Sequence, residues 1–101
     1  MKVFGDALNS SMPYKTFLLE IKDTAEWVVK EMLEKYGLKH EDLQNHCLLQ
    51  IVNPPGVQMD NKTIKENILH DKQCPLNIYS IIFKVVKCPL EYIEIRKGGE
   101  R

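Results

Sequence analysis

Residues Ile21–Leu38, IKDTAEWVVKEMLEKYGL, carry the reading that decides the fold. Asp23 stands where a helix N-cap belongs, and Glu26, three residues on, is placed to reach back to the cap amide in a capping-box arrangement. Ala25, Val28, Val29, Met32, Leu33 and Tyr36 recur at helical spacing and form one apolar stripe. Gly37 is placed to adopt the left-handed conformation that ends a helix, which a residue without a Cβ takes at little cost. Together these signals predict a helix over Thr24–Tyr36 with one face committed to a core. The Glu26/Lys30 and Glu31/Lys35 pairs, four apart with the acid first, add on the order of 0.3 kcal/mol each.

Working outward, KVFGDAL (2–8) and YKTFLLEIK (14–22) are β-type runs joined by NSSMP (9–13), whose Asn, Ser and Pro favour turns; a hairpin is expected. Phe17, Leu19 and Ile21 alternate with Thr16, Leu18 and Glu20, so the second run has one apolar face and one mixed face. Beyond the helix, LKHEDLQNH (38–46) reads as irregular or one helical turn, CLLQIV (47–52) as a third strand and NPPGVQMDN (53–61) as a loop, because paired prolines cannot continue a ladder. KTIKENIL (62–69) reads as a short strand and HDKQCPLNIYS (70–80) as a loop with a helical turn. IYSIIFKVV (78–86) is apolar in both phases, so periodicity leaves strand and buried helix open. LEYIEIRK (90–97) is expected to close the chain as a strand, with Leu90, Tyr92 and either Ile93 or Ile95 facing in. The expected class is α+β, a mixed sheet of about five strands crossed by one main helix, with a short second helix.

Composition bounds the function. The 101 residues suit one domain, 1–101, and the 44% hydrophobic and 28% charged fractions are those of a chain that buries a core. Fourteen basic and fourteen acidic residues cancel, so no global field draws the chain to nucleic acid or to an anionic membrane; charged partners must be met locally. No apolar run is long enough to span a bilayer, and MKVFGDALNSSM does not read as a signal peptide. Cys47, Cys74 and Cys88 are odd in number and lack CxxC spacing, which fits small buried residues in a reducing, cytoplasmic setting. His40, His46 and Cys47, or His70 and Cys74, do not match the paired spacings of zinc sites, and no GxxxxGK, GxGxxG or HExxH is present. The expectation is a chain without catalytic residues, metal or cofactor.

The order hairpin, helix, strand, strand, short helix, strand is that of a ubiquitin-like roll. More specifically, YKTFLLEIKDTAEWVVKEMLEKYGL resembles the first half of a Ras-association domain, with its Tyr-Lys-Ser/Thr opening of strand two, Thr-Ala cap, Val-Val helix and Tyr-Gly-Leu stop. CLLQIV is similar to the family's third strand, and ILHDKQCPLNI (68–78) to its leucine, acidic residue and later Pro-Leu before the last strand. The resemblance runs over Val3–Lys97; it departs at Lys72 and Gln73, where the family carries more acidic residues.

The resemblance implies a non-catalytic signalling module that binds the GTP-loaded form of Ras- or Rap-type small GTPases. In such modules the second strand pairs with an exposed GTPase strand, so that main-chain bonds supply affinity and flanking charges supply choice. Carried over residue by residue, the GTPase-binding set is Lys2 on strand one, Lys15, Thr16 and Phe17 on strand two, and Lys30 and Lys35 on the helix. It also implies part of a larger multidomain cytoplasmic protein, recruited to membranes through a lipidated GTPase. A plainer reading of the lysines exists: strand-edge lysines guard against aggregation, and the helix lysines have glutamate neighbours. The remaining functional alternative is a ubiquitin-like interaction module for a non-GTPase scaffold or an intramolecular partner. Trp27, off the apolar stripe, is expected to pack in part against the neighbouring loop, or else to meet a partner.

Overall fold

A computed structural model of the chain describes residues 1–38, 43–52, 65–77 and 82–99, the side chains of 52, 65 and 97–99 excepted. Among them five strands form one mixed sheet: β1 (Lys2–Phe4), β2 (Tyr14–Thr16), β3 (His46–Val52), β4 (Lys65–Ile68) and β5 (Ile82–Lys87), in the order β2-β1-β5-β3-β4. β5 is central, parallel to β1 and antiparallel to β3, while β1–β2 and β3–β4 are antiparallel pairs. This is the ubiquitin-like topology, with β2 and β4 at the two edges.

The main helix, α1 (Ala25–Lys35), lies across one face. Its start differs by one residue from the sequence expectation. Thr24, not Asp23, is the N-cap, its Oγ1 accepting from the Trp27 N–H at 3.2 Å. Asp23 instead closes the preceding turn, its Oδ2 accepting from the Glu20 N–H at 2.8 Å. Two further orphan amides of the first turn, Ala25 and Glu26, donate to the carbonyls of Gln73 and Asp71, which fixes the helix against the loop after β4. At the other end Gly37, at φ 73°, donates to Glu34 O while Leu38 N–H donates to Leu33 O, a Schellman stop. The core is the expected stripe, Ala25, Val28, Val29, Met32, Leu33 and Tyr36, packed on Val3, Leu48, Leu69, Phe83 and Val85 of the sheet and its flanks.

One segment resolves a choice that the sequence leaves open, and another corrects the sequence reading. IYSIIFKVV contributes the central strand: Phe83 and Val85 are buried toward α1, and Ile82, Lys84 and Val86 are half-buried on the other side. Neighbours on both edges and cover on both faces remove the alternation that periodicity needs. LEYIEIRK is not a strand but a helix, α2 (Leu90–Gly99), opened by Pro89, whose carbonyl accepts from the N–H groups of Tyr92 and Ile93. Its apolar residues satisfy a period of two, yet Tyr92 and Arg96, four apart, make the polar ties to the sheet. The expected turn in the 70–80 loop is a single 3-10 turn at Pro75–Asn77, and another, Leu43–Asn45, precedes β3. The expected loop 53–61 lies outside the described residues.

Strand two is also shorter than its sequence run. Regular pairing covers Tyr14–Thr16, Phe17 adds one more bonded pair, and the chain then turns through Glu20–Asp23, leaving Ile21 exposed rather than on a buried face.

Candidate functional site

β2 is one of the two open edges of the sheet, and the bonds to β1 show which of its backbone groups are free. Phe17 and Met1 exchange bonds in both directions at 2.7 Å, and Gly5 N–H donates to Pro13 O at 2.9 Å. Bonded pairs recur every second residue in an antiparallel ladder, so Pro13, Lys15 and Phe17 face β1. Tyr14 and Thr16 therefore direct their N–H and C=O groups outward, a short template for one more strand. The hairpin behind it is rigid. Tyr36 Oη donates to Met12 O at 2.6 Å, and Gly5 admits that ring because a Cβ there would lie 2.5 Å from the hydroxyl.

Side chains alternate across the same edge. Val3, wholly buried, is paired with Lys15, so Lys15 lies on the helix side, half-buried with its Nζ 5.5 Å from the centre of the Tyr36 ring. Phe17 follows on that side, buried, with Trp27 edge-on at 6.4 Å and Lys35 Nζ 5.4 Å from its ring centre. On the other side Lys2 lies 4.3 Å above the Tyr14 ring, which meets Phe4 edge-on at 6.0 Å.

Of the six residues picked from the sequence, the structure thus gathers Lys15, Phe17 and Lys35 at the helix-side rim of the edge and sets the paired Thr16 and Lys2 on the opposite side of the sheet. Phe17 is beneath the surface, with its backbone groups committed to β1. Lys30, exposed, is five residues from Lys35 and so about 140° away around α1, turned from Phe17 and β2. Among the described residues neither the Glu26/Lys30 nor the Glu31/Lys35 pair closes to ion-pair distance; Lys35 rests on an aromatic ring instead. Sequence reasoning passed over Tyr14 and Leu18, although the alternation that places Thr16 on the open side places them there too.

Elsewhere the buried polar groups serve the fold. The Arg96 guanidinium, 8% exposed, bonds Asp71 at 2.9 Å and the carbonyls of His46 and Gln44, pinning α2 to the start of β3. Cys47 is buried, and burial, with a hydrogen bond to Cys88, pushes its thiol up to about 12, while burial also raises Cys88; neither is poised as a nucleophile. Among the described residues no group of three or more His, Cys, Asp or Glu could hold a metal ion, and no helix is long and apolar enough to cross a membrane.

The fold recurs among known proteins. It is similar to the solution structure of the proposed Ras interaction domain of AFD-1, isoform a, from Caenorhabditis elegans, at a TM-score of 0.66 and 24% identity over 88% of this chain and 94% of that one. The family model for the Ras association (RalGDS/AF-6) domain matches residues 1–80, which take in β1, β2, α1, β3 and β4. With that match covering most of the 101 residues, the chain belongs to the Ras association (RalGDS/AF-6) domain family.

Proposed function

We propose that this domain binds the GTP-loaded form of Ras- or Rap-type small GTPases by extending its sheet at β2. The observation that carries the reading is the open edge itself: Tyr14 and Thr16 present unbonded backbone groups beside two lysines, Lys15 and Lys35, held on aromatic rings. A ring under an ammonium reduces its freedom without neutralising it, so the charges stand ready for an acidic strand at little ordering cost. Lys15 and Lys35 are the primary charge contacts and Thr16 a backbone contact. Phe17 supports Trp27 and Lys35 from below, Lys2 acts from the opposite face, and Lys30 contributes only at longer range. Family membership supports a non-catalytic role, and the proposed setting is one Ras-association domain, 1–101, within a larger cytoplasmic signalling protein. The test is calorimetric titration against several Ras and Rap proteins carrying a non-hydrolysable GTP analogue or GDP. Clear preference for the GTP-analogue form of at least one of them is expected. Equal affinity for the two nucleotide states across the set overturns the reading.

A further inference from the structure

The two faces of the open edge differ in chemistry. Lys15 and Lys35 line the helix side, whereas alternation puts Tyr14, Thr16 and Leu18 on the other. Leu18 is 97% exposed, and the ladder enforces it: Phe17 spends both backbone groups on Met1 and turns its ring under Trp27, so the next side chain is sent outward. Tyr14, 45% exposed, is held as a fixed platform between Phe4 and Lys2. Large apolar groups fixed in water at the margin of an unpaired strand gain most by being covered when that strand is paired.

Resting on the edge-docking reading above, we propose that Tyr14 and Leu18 form an apolar strip that receives an apolar side chain from the GTPase strand laid along β2, and that this contact selects among GTPases sharing an acidic effector surface. The occupant follows from continuity. Tyr14 and Thr16 supply the free backbone groups, so a strand bonded to them must set every second side chain over the strip. A second copy of this chain fits poorly, since antiparallel pairing centred on Lys15 would bring two like charges face to face. Specificity then divides along one strand: charge, from Lys15 and Lys35 on the helix side and Lys2 over Tyr14, draws the partner in, and apolar fit on the far side discriminates.

The experiment compares wild type, Leu18→Ser and Ile21→Ser against the best-bound GTP-analogue-loaded GTPase at about 50 and about 300 mM salt, with unfolding midpoints measured on each. Ile21 is 67% exposed in the turn closed by Glu20 and Asp23, outside the ladder, and serves as the control for lost surface hydrophobicity. Leu18→Ser is expected to weaken binding about tenfold to a hundredfold, by a factor that does not change with salt, because burial of apolar area is not screened. Ile21→Ser should stay within about twofold of wild type. Leu18→Ser binding as wild type does, while wild type keeps its nucleotide preference, overturns the strip alone. Wild-type self-association that Leu18→Ser abolishes without touching GTPase affinity assigns the strip to a second copy and also overturns it. Loss of nucleotide preference in wild type removes the docking reading and the strip together.

Discussion

Charge reversal at Lys15 is the sharpest perturbation of the proposed interface. Lys15 spends its backbone bonds on β1, so toward an added strand it occupies a non-bonded position, where opposing side chains come closest. Two unit charges about 4 Å apart interact by about 1 kcal/mol in bulk water and about 4 kcal/mol at the effective dielectric of a protein surface. Lys15→Glu exchanges attraction for repulsion and so doubles the swing. The half-buried, solvent-bordered position holds the result toward the lower end, about 2–4 kcal/mol, or roughly 30-fold to 1,000-fold in affinity. The fold is affected as well. A bare surface substitution would leave stability almost unchanged, but the Lys15 Nζ is 5.5 Å from the Tyr36 ring centre. Losing that contact costs about 0.5–1 kcal/mol, a drop of several degrees in the unfolding midpoint. Titration calorimetry and thermal unfolding on wild type, Lys15→Gln and Lys15→Glu separate the two effects, with Lys15→Gln expected midway in affinity. A folded Lys15→Glu domain with wild-type affinity for the GTP-loaded partner would refute the placement of Lys15 in the interface.

Other outcomes follow from the packing. Leu33, 2% exposed on the core stripe, should cost about 2–5 kcal/mol when truncated to Ala, read from urea unfolding; a loss under about 1 kcal/mol would contradict its place between α1 and the sheet. Arg96→Leu leaves the Asp71 carboxylate without its ion pair and removes two bonds that hold α2 to the start of β3, and should lower stability by about 3 kcal/mol while raising the reactivity of Cys88 toward a thiol reagent as α2 loosens. Cys47, whose thiol is raised from an ordinary value near 9 to about 12, keeps a proton in the folded state that the unfolded chain releases. Its contribution is therefore full below about pH 9 and is lost toward pH 12, at up to about 1.4 kcal/mol per pH unit. Cys47→Ala should be less stable at pH 8 yet lose less between pH 9 and 11, and parallel curves for the two proteins would contradict this.

The half of the fold that positions the candidate site was legible because its signals are local. Thr24, Gly37 and the Ala25–Tyr36 stripe lie within one helix, and the misassigned cap shifts the start by a single residue because Asp23 and Thr24 are both cap formers. β5 was not legible, since a central strand covered on both faces is apolar in both phases. α2 was misread because Leu90, Tyr92 and the two isoleucines satisfy a strand period as readily as a helix period, and the residue that fastens it, Arg96, finds its partners 25 and 50 residues away. The same distance rule applied at the edge. Lys15 and Lys35 were found as charges, but their rings, Tyr36 and Phe17, are set by folding, and so is the turn that directs Lys30 away from them.

The claim on which the functional reading turns is that the partner adds a strand to β2, and amide hydrogen exchange at single residues tests it most directly. In the free domain the Lys15 and Phe17 amides are bonded to β1, while those of Tyr14 and Thr16 face solvent. Saturation with a GTP-analogue-loaded Ras or Rap protein should slow exchange at Tyr14 and Thr16 by at least about tenfold and leave β4, the other edge, unchanged. Protection that appears along Lys65–Ile68 instead, or binding that leaves Tyr14 and Thr16 exchanging at their free rates, would contradict docking through β2.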